Sequence, residues 1–181
     1  MVREQRKKTE LSMELNNMNI RLFGVANDSI VDGPGIRYAV FVQGCPHNCE
    51  DCHNPKSHDF SGGYLKDIDE LVCEIKSNPL LDGVTFSGGE PFCSAKELVA
   101  LADKLCTHVV CYTGYLFEDL INGANDENCW LELLKKVDLL IDGPFIKEQK
   151  SYDLMFKGSA NQRIIDVKKS LSQNKTIIAE L

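Results

Sequence analysis

Hydrophobic and polar positions along the chain form two patterns, short apolar runs and longer stretches with helical spacing. The apolar runs predict β-strands that begin near residues 19, 37, 83, 108, 137 and 162, namely NIRLFGVA, RYAVFVQ, GVTFSGGEP, HVVCYTG, VDLLIDGP and QRIIDV. The stretches with helical spacing predict amphipathic helices over residues 66–76, 94–105 and 127–136, namely KDIDELVCEIK, SAKELVALADKL and ENCWLELLKK. Strand-like and helix-like segments therefore alternate from residue 37 onward.

This alternation predicts the fold class. Short strands that are apolar throughout are typical of a parallel sheet with right-handed helical crossovers. The units are too few for a closed eight-stranded barrel. We therefore predict an α/β fold, an open partial (β/α) barrel with about five or six parallel strands, over residues 18–181. Residues 1–17 are polar and are expected to be an N-terminal extension. Ser94 and Glu97 stand in capping-box register, which predicts the start of the helix over residues 94–105.

Composition limits the classes of protein that remain. A hydrophobic fraction of 43% and a charged fraction of 26% are typical of a globular protein, and the net charge of −7 disfavours a nucleic-acid-binding surface. The sequence contains neither an apolar run long enough to span a membrane nor the apolar segment of a secretion signal at its start. We expect a cytoplasmic protein with no membrane partner, whose eight cysteines are thiols or metal ligands rather than disulfides.

The stretch QGCPHNCEDCHNP places Cys45, Cys49 and Cys52 at a spacing of C-x3-C-x2-C. Structural zinc usually takes four ligands from two separated pairs, although His47 or His53 could complete such a site. Three thiolates on a [4Fe–4S] cluster would leave one iron open to an outside ligand, which suits a catalyst better than an electron carrier. We favour the open cluster, with zinc and incidental thiols as the alternatives.

Several motifs resemble one family of enzymes. The cysteine motif after one strand, followed by Gly88, Gly89 and Glu90 after the next, resembles the radical S-adenosylmethionine (SAM) enzymes. The segments DGPGIR, YTGY, LLIDGPF and ANQRIIDV resemble the subset that activates glycyl radical enzymes, and in particular the activators of anaerobic ribonucleoside-triphosphate reductase. The resemblance extends over roughly residues 18–170.

The resemblance implies a radical SAM oxidoreductase in which Cys45, Cys49 and Cys52 hold a [4Fe–4S] cluster. Reductive cleavage of SAM at this cluster would yield a 5′-deoxyadenosyl radical. That radical would take a hydrogen atom from a glycine of the large reductase subunit and leave a glycyl radical. The implied partners are that subunit and a low-potential reductant such as flavodoxin, and no catalytic side chain is expected beyond the cluster and SAM.

The same resemblance suggests which residues bind SAM. Gly88 and Gly89 are expected to let the backbone approach the methionine group, and Glu90 to accept a hydrogen bond from its ammonium or to cap the next turn. His53 follows the last cysteine, where the family places its adenine contacts. Asp142, at the end of a predicted strand, is either a further SAM ligand or a turn residue.

One position departs from the family pattern. The residue before the third cysteine, usually an aromatic that stacks on adenine, is Asp51 in this chain. Thr113 follows the strand at residue 108 and is a weaker candidate for the site. Arg37, which ends DGPGIR, either follows a plain turn or anchors an incoming glycine loop or a carboxylate.

Two other functions remain open at this point. Activators of pyruvate formate-lyase and related lyases are generally longer and often carry extra cysteine clusters, whereas this chain has no cysteine between Cys52 and Cys73. An alternative of a different class is a non-catalytic iron–sulfur or zinc binding module. The remaining cysteines are predicted to be free thiols in or near the core.

Overall fold

The computed structural model describes residues 18–180, and the predicted extension, residues 1–17, lies outside this range. The described residues form seven strands: β1 (Asn19–Ser29), β2 (Arg37–Val42), β3 (Tyr64–Asp67), β4 (Gly83–Gly88), β5 (His108–Tyr112), β6 (Leu139–Asp142) and β7 (Arg163–Asp166). They also form five α-helices: α1 (Ile68–Lys76), α2 (Ala95–Leu105), α3 (Phe117–Gly123), α4 (Trp130–Leu134) and α5 (Val167–Gln173). In this part of the chain, every helix is too short or too polar to cross a membrane.

All seven strands belong to one open sheet with the order β3-β1-β2-β4-β5-β6-β7. The α/β class is confirmed, and β2, β4, β5 and β6 are parallel. The outer strands β1, β3 and β7 pair antiparallel, so fewer strands are parallel than the five or six predicted. The connections explain the difference, because parallel neighbours are usually joined by a helical crossover. Residues 30–36, between β1 and β2, are too few for one, and residues 143–162, between β6 and β7, form a loop with one 3₁₀ turn.

The sheet separates the hydrophobic core from the cavity described below. Side chains alternate between the two faces of each strand, and one face packs against α1, α2 and α4. The fully buried residues of this core include Val40, Phe86, Leu98, Leu101 and Leu133. Burial of such side chains, each contributing about 1.5–3 kcal/mol, gives the sheet a rigid backing.

The opposite face of the sheet is contacted by residues 30–36, which contain the DGPG turn. The hydroxyl of Thr85 donates to the backbone oxygen of Asp32 at 2.7 Å. Gly33 has φ +129°, and a Cβ there would lie 3.1 Å from Val110. A glycine is therefore required where this turn lies against the central strands.

Arg37 is buried at the start of β2, at the amino ends of the parallel strands. Its Nε donates to the Thr85 hydroxyl at 3.2 Å and its Nη2 to the backbone oxygen of His108 at 3.1 Å. Burial lowers the pKa of Arg37 to about 10, with nearby acidic groups opposing the shift, so the guanidinium stays charged at neutral pH. Arg37 thus braces β2, β4 and β5, and this position does not fit the alternative of an anchor for an incoming glycine loop.

The ends of several helices are determined by local capping interactions and backbone conformation, which the hydrophobic periodicity does not predict. Helix α1 begins two residues later than predicted, because the Asp67 side chain caps it. The predicted capping box is wrong: Ser94 makes no side-chain cap bond, and Glu90 instead caps a 3₁₀ turn, Pro91–Ser94, that precedes α2. Helix α4 is shorter than predicted because Cys129, just before it, has a left-handed backbone with φ 55°. The helices α3 and α5 and strand β3 had not been predicted.

Candidate functional site

A cavity of about 530 Å³ lies at the carboxyl ends of the parallel strands, a size typical of sites for small molecules. The loops after β2 and β4 both reach it, as expected for neighbouring parallel strands. The sequence-predicted residues that line it are Cys45, Cys49, Cys52, His53, Gly88, Gly89, Glu90 and Thr113. Of the predicted site residues, Asp142 does not line the cavity, although its neighbour Gly143 does.

The cysteine loop, residues 45–57, is closed at its base by the protein's own hydrogen bonds. The backbone N–H of Gly44 donates to the oxygen of Ser57 at 2.7 Å, and the next pair of residues does the same at 3.1 Å. The buried amide of Gln43 donates to two backbone oxygens of the returning segment, at 3.0 and 2.6 Å. The two ends of the loop are therefore held side by side at the end of β2.

Two thiols of the cysteine loop accept hydrogen bonds from backbone N–H groups. The N–H of Asn54 donates to Cys52 Sγ at 3.4 Å. Burial raises the pKa of the Cys45 thiol, and a hydrogen bond from the His47 backbone opposes this shift. Such N–H groups stabilise thiolates and tune the potential of a bound cluster. The donor set and its hydrogen bonds fit an iron–sulfur cluster.

The three cysteines of the motif line the same cavity. Among residues 18–180, no three His, Cys, Asp or Glu side chains converge as ligands of a single metal ion. A cubane makes a different demand, because its thiolates bind separate irons at separate corners. Cys45, Cys49 and Cys52 all line the one cavity in which such a cluster would lie.

Glu90 is fully buried and forms the centre of a hydrogen-bond network at the cavity wall. One carboxylate oxygen accepts from the backbone N–H of Phe92 at 3.0 Å and from the Thr113 hydroxyl at 2.9 Å. The other accepts from the Gly114 N–H at 2.9 Å and lies 2.7 Å from Nε2 of His47. A carboxylate has about four acceptor positions, so this network uses all of them. Turn capping, one of the two roles expected of Glu90, is observed; the contact with the SAM ammonium stays a prediction.

His47 is the part of this network that the sequence did not reveal. The motif suggested it only as a possible zinc ligand, and it lies 43 positions from its partner Glu90. Its ring packs edge-on against Tyr115, with centroids 4.5 Å apart, and a Cβ at Gly114 would lie 2.5 Å from it. His47 therefore connects the cysteine loop to the segment after β5.

The glycine turn after β4 lies directly against the start of the cysteine loop. A Cβ at Gly88 would be 2.7 Å from the backbone of Phe41, and one at Gly89 would be 2.3 Å from the oxygen of Gly44. The N–H of Glu90 donates to the same Gly44 oxygen at 2.8 Å. Glycine is required here because two backbone segments touch, a reason beyond the approach of a ligand.

Asp142 is fully buried, and its carboxylate is occupied by protein groups. It accepts from the Phe117 N–H at 2.8 Å and from Arg163 Nε at 3.0 Å, with a second contact to the same guanidinium. Arg163 also pairs with Glu118. Asp142 thus joins β6, α3 and β7, and its contact with SAM stays a prediction.

The connection between β6 and β7, residues 143–162, forms the other wall of the cavity. Two of the sequence motifs, LLIDGPF and ANQRIIDV, hold this connection in place, because side chains of the second donate to backbone oxygens of the first. Asn161 Nδ2 donates to the oxygen of Pro144 at 2.8 Å, and Gln162 Nε2 donates to the oxygen of Gly143 at 3.0 Å. The segment that follows β6 therefore has a defined position relative to β7.

Comparisons with known proteins agree with this geometry. A family model described as a 4Fe-4S single cluster domain matches residues 31–165, which include all three cysteines of the motif. The chain is 33% identical over 146 residues to the anaerobic ribonucleoside-triphosphate reductase-activating protein of Haemophilus influenzae, covering 75% of this chain and 90% of the relative. The chain belongs to the radical SAM family that activates glycyl radical enzymes.

Other members of the family are similar to this chain to different extents. The anaerobic ribonucleoside-triphosphate reductase-activating protein of Enterobacteria phage T4 is 33% identical over 144 residues, covering 74% of this chain and 86% of the relative. The pyruvate formate-lyase-activating enzyme of Clostridium pasteurianum is 33% identical over 126 residues, covering 67% of this chain but only 50% of that enzyme. The names of these relatives indicate activating enzymes, and the family model indicates an iron–sulfur cluster.

Proposed function

We propose that this chain activates an anaerobic ribonucleoside-triphosphate reductase by generating a glycyl radical on its large subunit. The observation that carries the proposal is the cavity in which the three cysteines of the motif face the glycine turn that follows β4. The reductase-activating relatives from Haemophilus influenzae and phage T4 are covered over 90% and 86% of their length, which supports the reductase as the partner.

Cys45, Cys49 and Cys52 would hold three irons of a [4Fe–4S] cluster and leave the fourth for SAM. A cluster bound there would supply the electron that splits SAM into methionine and a 5′-deoxyadenosyl radical, which would take a hydrogen atom from the target glycine. The chain's own part is to hold the cysteine loop against the glycine turn and to exclude solvent from the cavity. Gly88, Gly89 and Glu90 line the wall proposed for the methionine group.

Further parts of the proposal follow from the same assignment. His53 lines the cavity at the end proposed for the adenine, and Asp142 is a proposed contact only if its carboxylate is released from Arg163. The open sheet is proposed to be a radical SAM partial barrel within one domain, residues 18–181, that follows an extension, residues 1–17. The proposed setting is the cytoplasm, with a low-potential reductant such as flavodoxin as electron donor.

Activation of pyruvate formate-lyase is the second candidate, because the Clostridium pasteurianum enzyme of that name is also 33% identical. The chain covers half of that enzyme, against 90% of the Haemophilus influenzae relative, so the reductase is favoured. A non-catalytic binding module is the candidate from another class. It would bind metal through the same three cysteines without cleaving SAM.

One anaerobic experiment separates these functions. The full chain is reconstituted with iron and sulfide, reduced, and mixed with SAM and either the purified large reductase subunit or pyruvate formate-lyase. We expect about four irons per chain, release of 5′-deoxyadenosine, and a glycyl radical signal in electron paramagnetic resonance with the reductase. A signal with the lyase alone would favour the second candidate. Bound metal without 5′-deoxyadenosine would identify a binding module.

A further inference from the structure

Asp51, the residue before the third cysteine of the motif, does not face the cavity. Its side chain is 59% exposed, and its backbone is left-handed with φ 54°. The carboxylate lies 3.0 Å from Nζ of Lys147, which also lies 2.9 Å from Glu50. This ion pair brings the cysteine loop against the connection between β6 and β7.

Phe145, two residues before Lys147, does line the cavity. Its ring contacts the ring of His53, with centroids 5.3 Å apart and an interplanar angle of 47°. His53 directly follows the last cysteine of the motif. The wall beside the proposed cluster site therefore contains a flat apolar ring, although Asp51 contributes none.

The position of the Phe145 ring is determined by contacts behind it as well. A Cβ at Gly158 would lie 3.1 Å from Cδ2 of the ring, so a larger residue there would displace the ring by a few tenths of an ångström. Gly158 is held in turn by Gln162, whose Oε1 accepts its N–H at 2.8 Å. Nε2 of Gln162 also donates to the oxygen of Gly143, two residues before the ring. The Gln162 side chain therefore holds both the backbone that leads to Phe145 and the Gly158 backbone behind its ring.

We propose that Phe145 supplies the aromatic surface on which the adenine ring of SAM stacks. This inference rests on the proposed function, because that function makes SAM the ligand of the cavity. Adenine presents a flat π-face, and stacking on an aromatic side chain is a strong, geometrically tolerant way to bind a base. Other aromatic residues also line the cavity, but Phe145 is the one in ring contact with His53, at the end of the cysteine motif.

Binding measurements on the reconstituted full chain test this assignment without relying on turnover. Affinities are measured anaerobically for SAM, for S-adenosylhomocysteine and for methionine, which lacks the adenine ring. We expect Phe145→Ala to weaken both adenine-containing ligands by about tenfold and to leave methionine unchanged. Phe145→Tyr should bind SAM and S-adenosylhomocysteine with the affinity of the unaltered chain, because it keeps an aromatic ring. The matched control is Tyr152→Ala, in the same connection but 92% exposed.

The remaining outcomes decide against the inference. Unchanged SAM affinity in Phe145→Ala would overturn it, as would an equal loss for methionine, which would indicate a collapsed wall rather than a lost stacking surface. A loss in Phe156→Ala with none in Phe145→Ala would move the adenine to another ring of the cavity. If the unaltered chain bound no SAM, the proposed function would fail together with this inference. If it bound SAM normally and Phe145→Ala did too, only the inference would fail.

Discussion

Nε2 of His47 lies 2.7 Å from a carboxylate oxygen of Glu90, and this contact joins the cysteine loop to the turn after β4. The same carboxylate accepts from Thr113 and Gly114 after β5, so three loops meet at one buried acid. Burying a carboxylate is costly unless protein groups hydrogen-bond to it. The network therefore determines the relative positions of the loops that surround the cavity.

The hydroxyl of Thr113 offers a test of this network. It donates to Glu90 at 2.9 Å and accepts from the backbone N–H of Tyr115 at 3.1 Å. Thr113→Val keeps the shape and removes both bonds, so we expect the free energy of unfolding to fall by about 1–3 kcal/mol. Anaerobic thermal unfolding of the reconstituted chain measures the change. Thr107→Val, a partly buried threonine outside the network, should change stability by less than about 0.5 kcal/mol.

Removal of single thiols tests the ligand assignment. Cys49→Ala should abolish assembly of the cluster, because it removes one of three protein ligands, and Cys45→Ala and Cys52→Ala should do the same. Cys73→Ala is the matched control, since this thiol is exposed on α1. Iron content and visible absorption after reconstitution give the answer. A full, active cluster in Cys49→Ala would show the assignment to be wrong.

The contact between the glycine turn and the cysteine loop is tested by adding one methyl group. In Gly89→Ala the new Cβ would lie 2.3 Å from the oxygen of Gly44, so the two backbone segments would have to move apart. We expect a loss of about 1–3 kcal/mol in stability and a lower cluster content. Gly24→Ala is the control, because nothing lies within 4 Å of the added carbon. Equal behaviour of the two variants would contradict the close contact.

The half-buried His108 predicts how stability depends on pH. Its Nδ1 lies 3.1 Å from Nη1 of Arg37 and accepts from it only when unprotonated. Burial lowers the pKa of His108, the charges of Arg37 and Lys168 act in the same direction, and Asp138 opposes them. The folded chain therefore binds this proton less readily than the unfolded chain. Stability should be complete above the ordinary pKa near 6.5 and be lost as the pH falls through the lower folded value.

A variant without a titrating ring checks this expectation. His108→Asn retains an oxygen that can accept from Arg37 but takes up no proton near neutral pH. Its thermal midpoint should fall less between pH 7 and about pH 5.5 than that of the unaltered chain. Parallel curves for the two proteins would mean that other groups cause the pH dependence.

The sequence predicted the parts of the fold that depend on local pattern. Apolar runs identified the four parallel strands, and the placement of the cysteine loop and glycine turn at the same end followed from their parallel order. Strand direction at the edges was not predictable from the runs themselves, since NIRLFGVA and RIID look the same in either direction. The length of the connections, above all residues 30–36, carried that information.

The residues of the candidate site were predictable only where they belong to a short sequence motif. The three cysteines, the glycine turn and His53 came from short patterns, and all line the cavity. The partners of Glu90 and Asp142 did not come from such patterns, because His47 and Arg163 lie 43 and 21 positions away. No local signal indicates which distant side chain a carboxylate contacts. Hydrogen bonding between side chains distant in sequence is a property of the folded chain alone.

The hydrogen bonds that close the base of the cysteine loop, from Gly44 to Ser57 and from Gln43 to the returning backbone, involve no metal. An oxidant that destroys the inorganic centre would leave these bonds, and with them the entrance and exit of the loop, in place. We therefore expect the chain without its cluster to keep the cysteine loop in nearly the same conformation. Repair after exposure to air would then require iron, sulfide and a reductant for oxidised thiols, without new synthesis of the polypeptide.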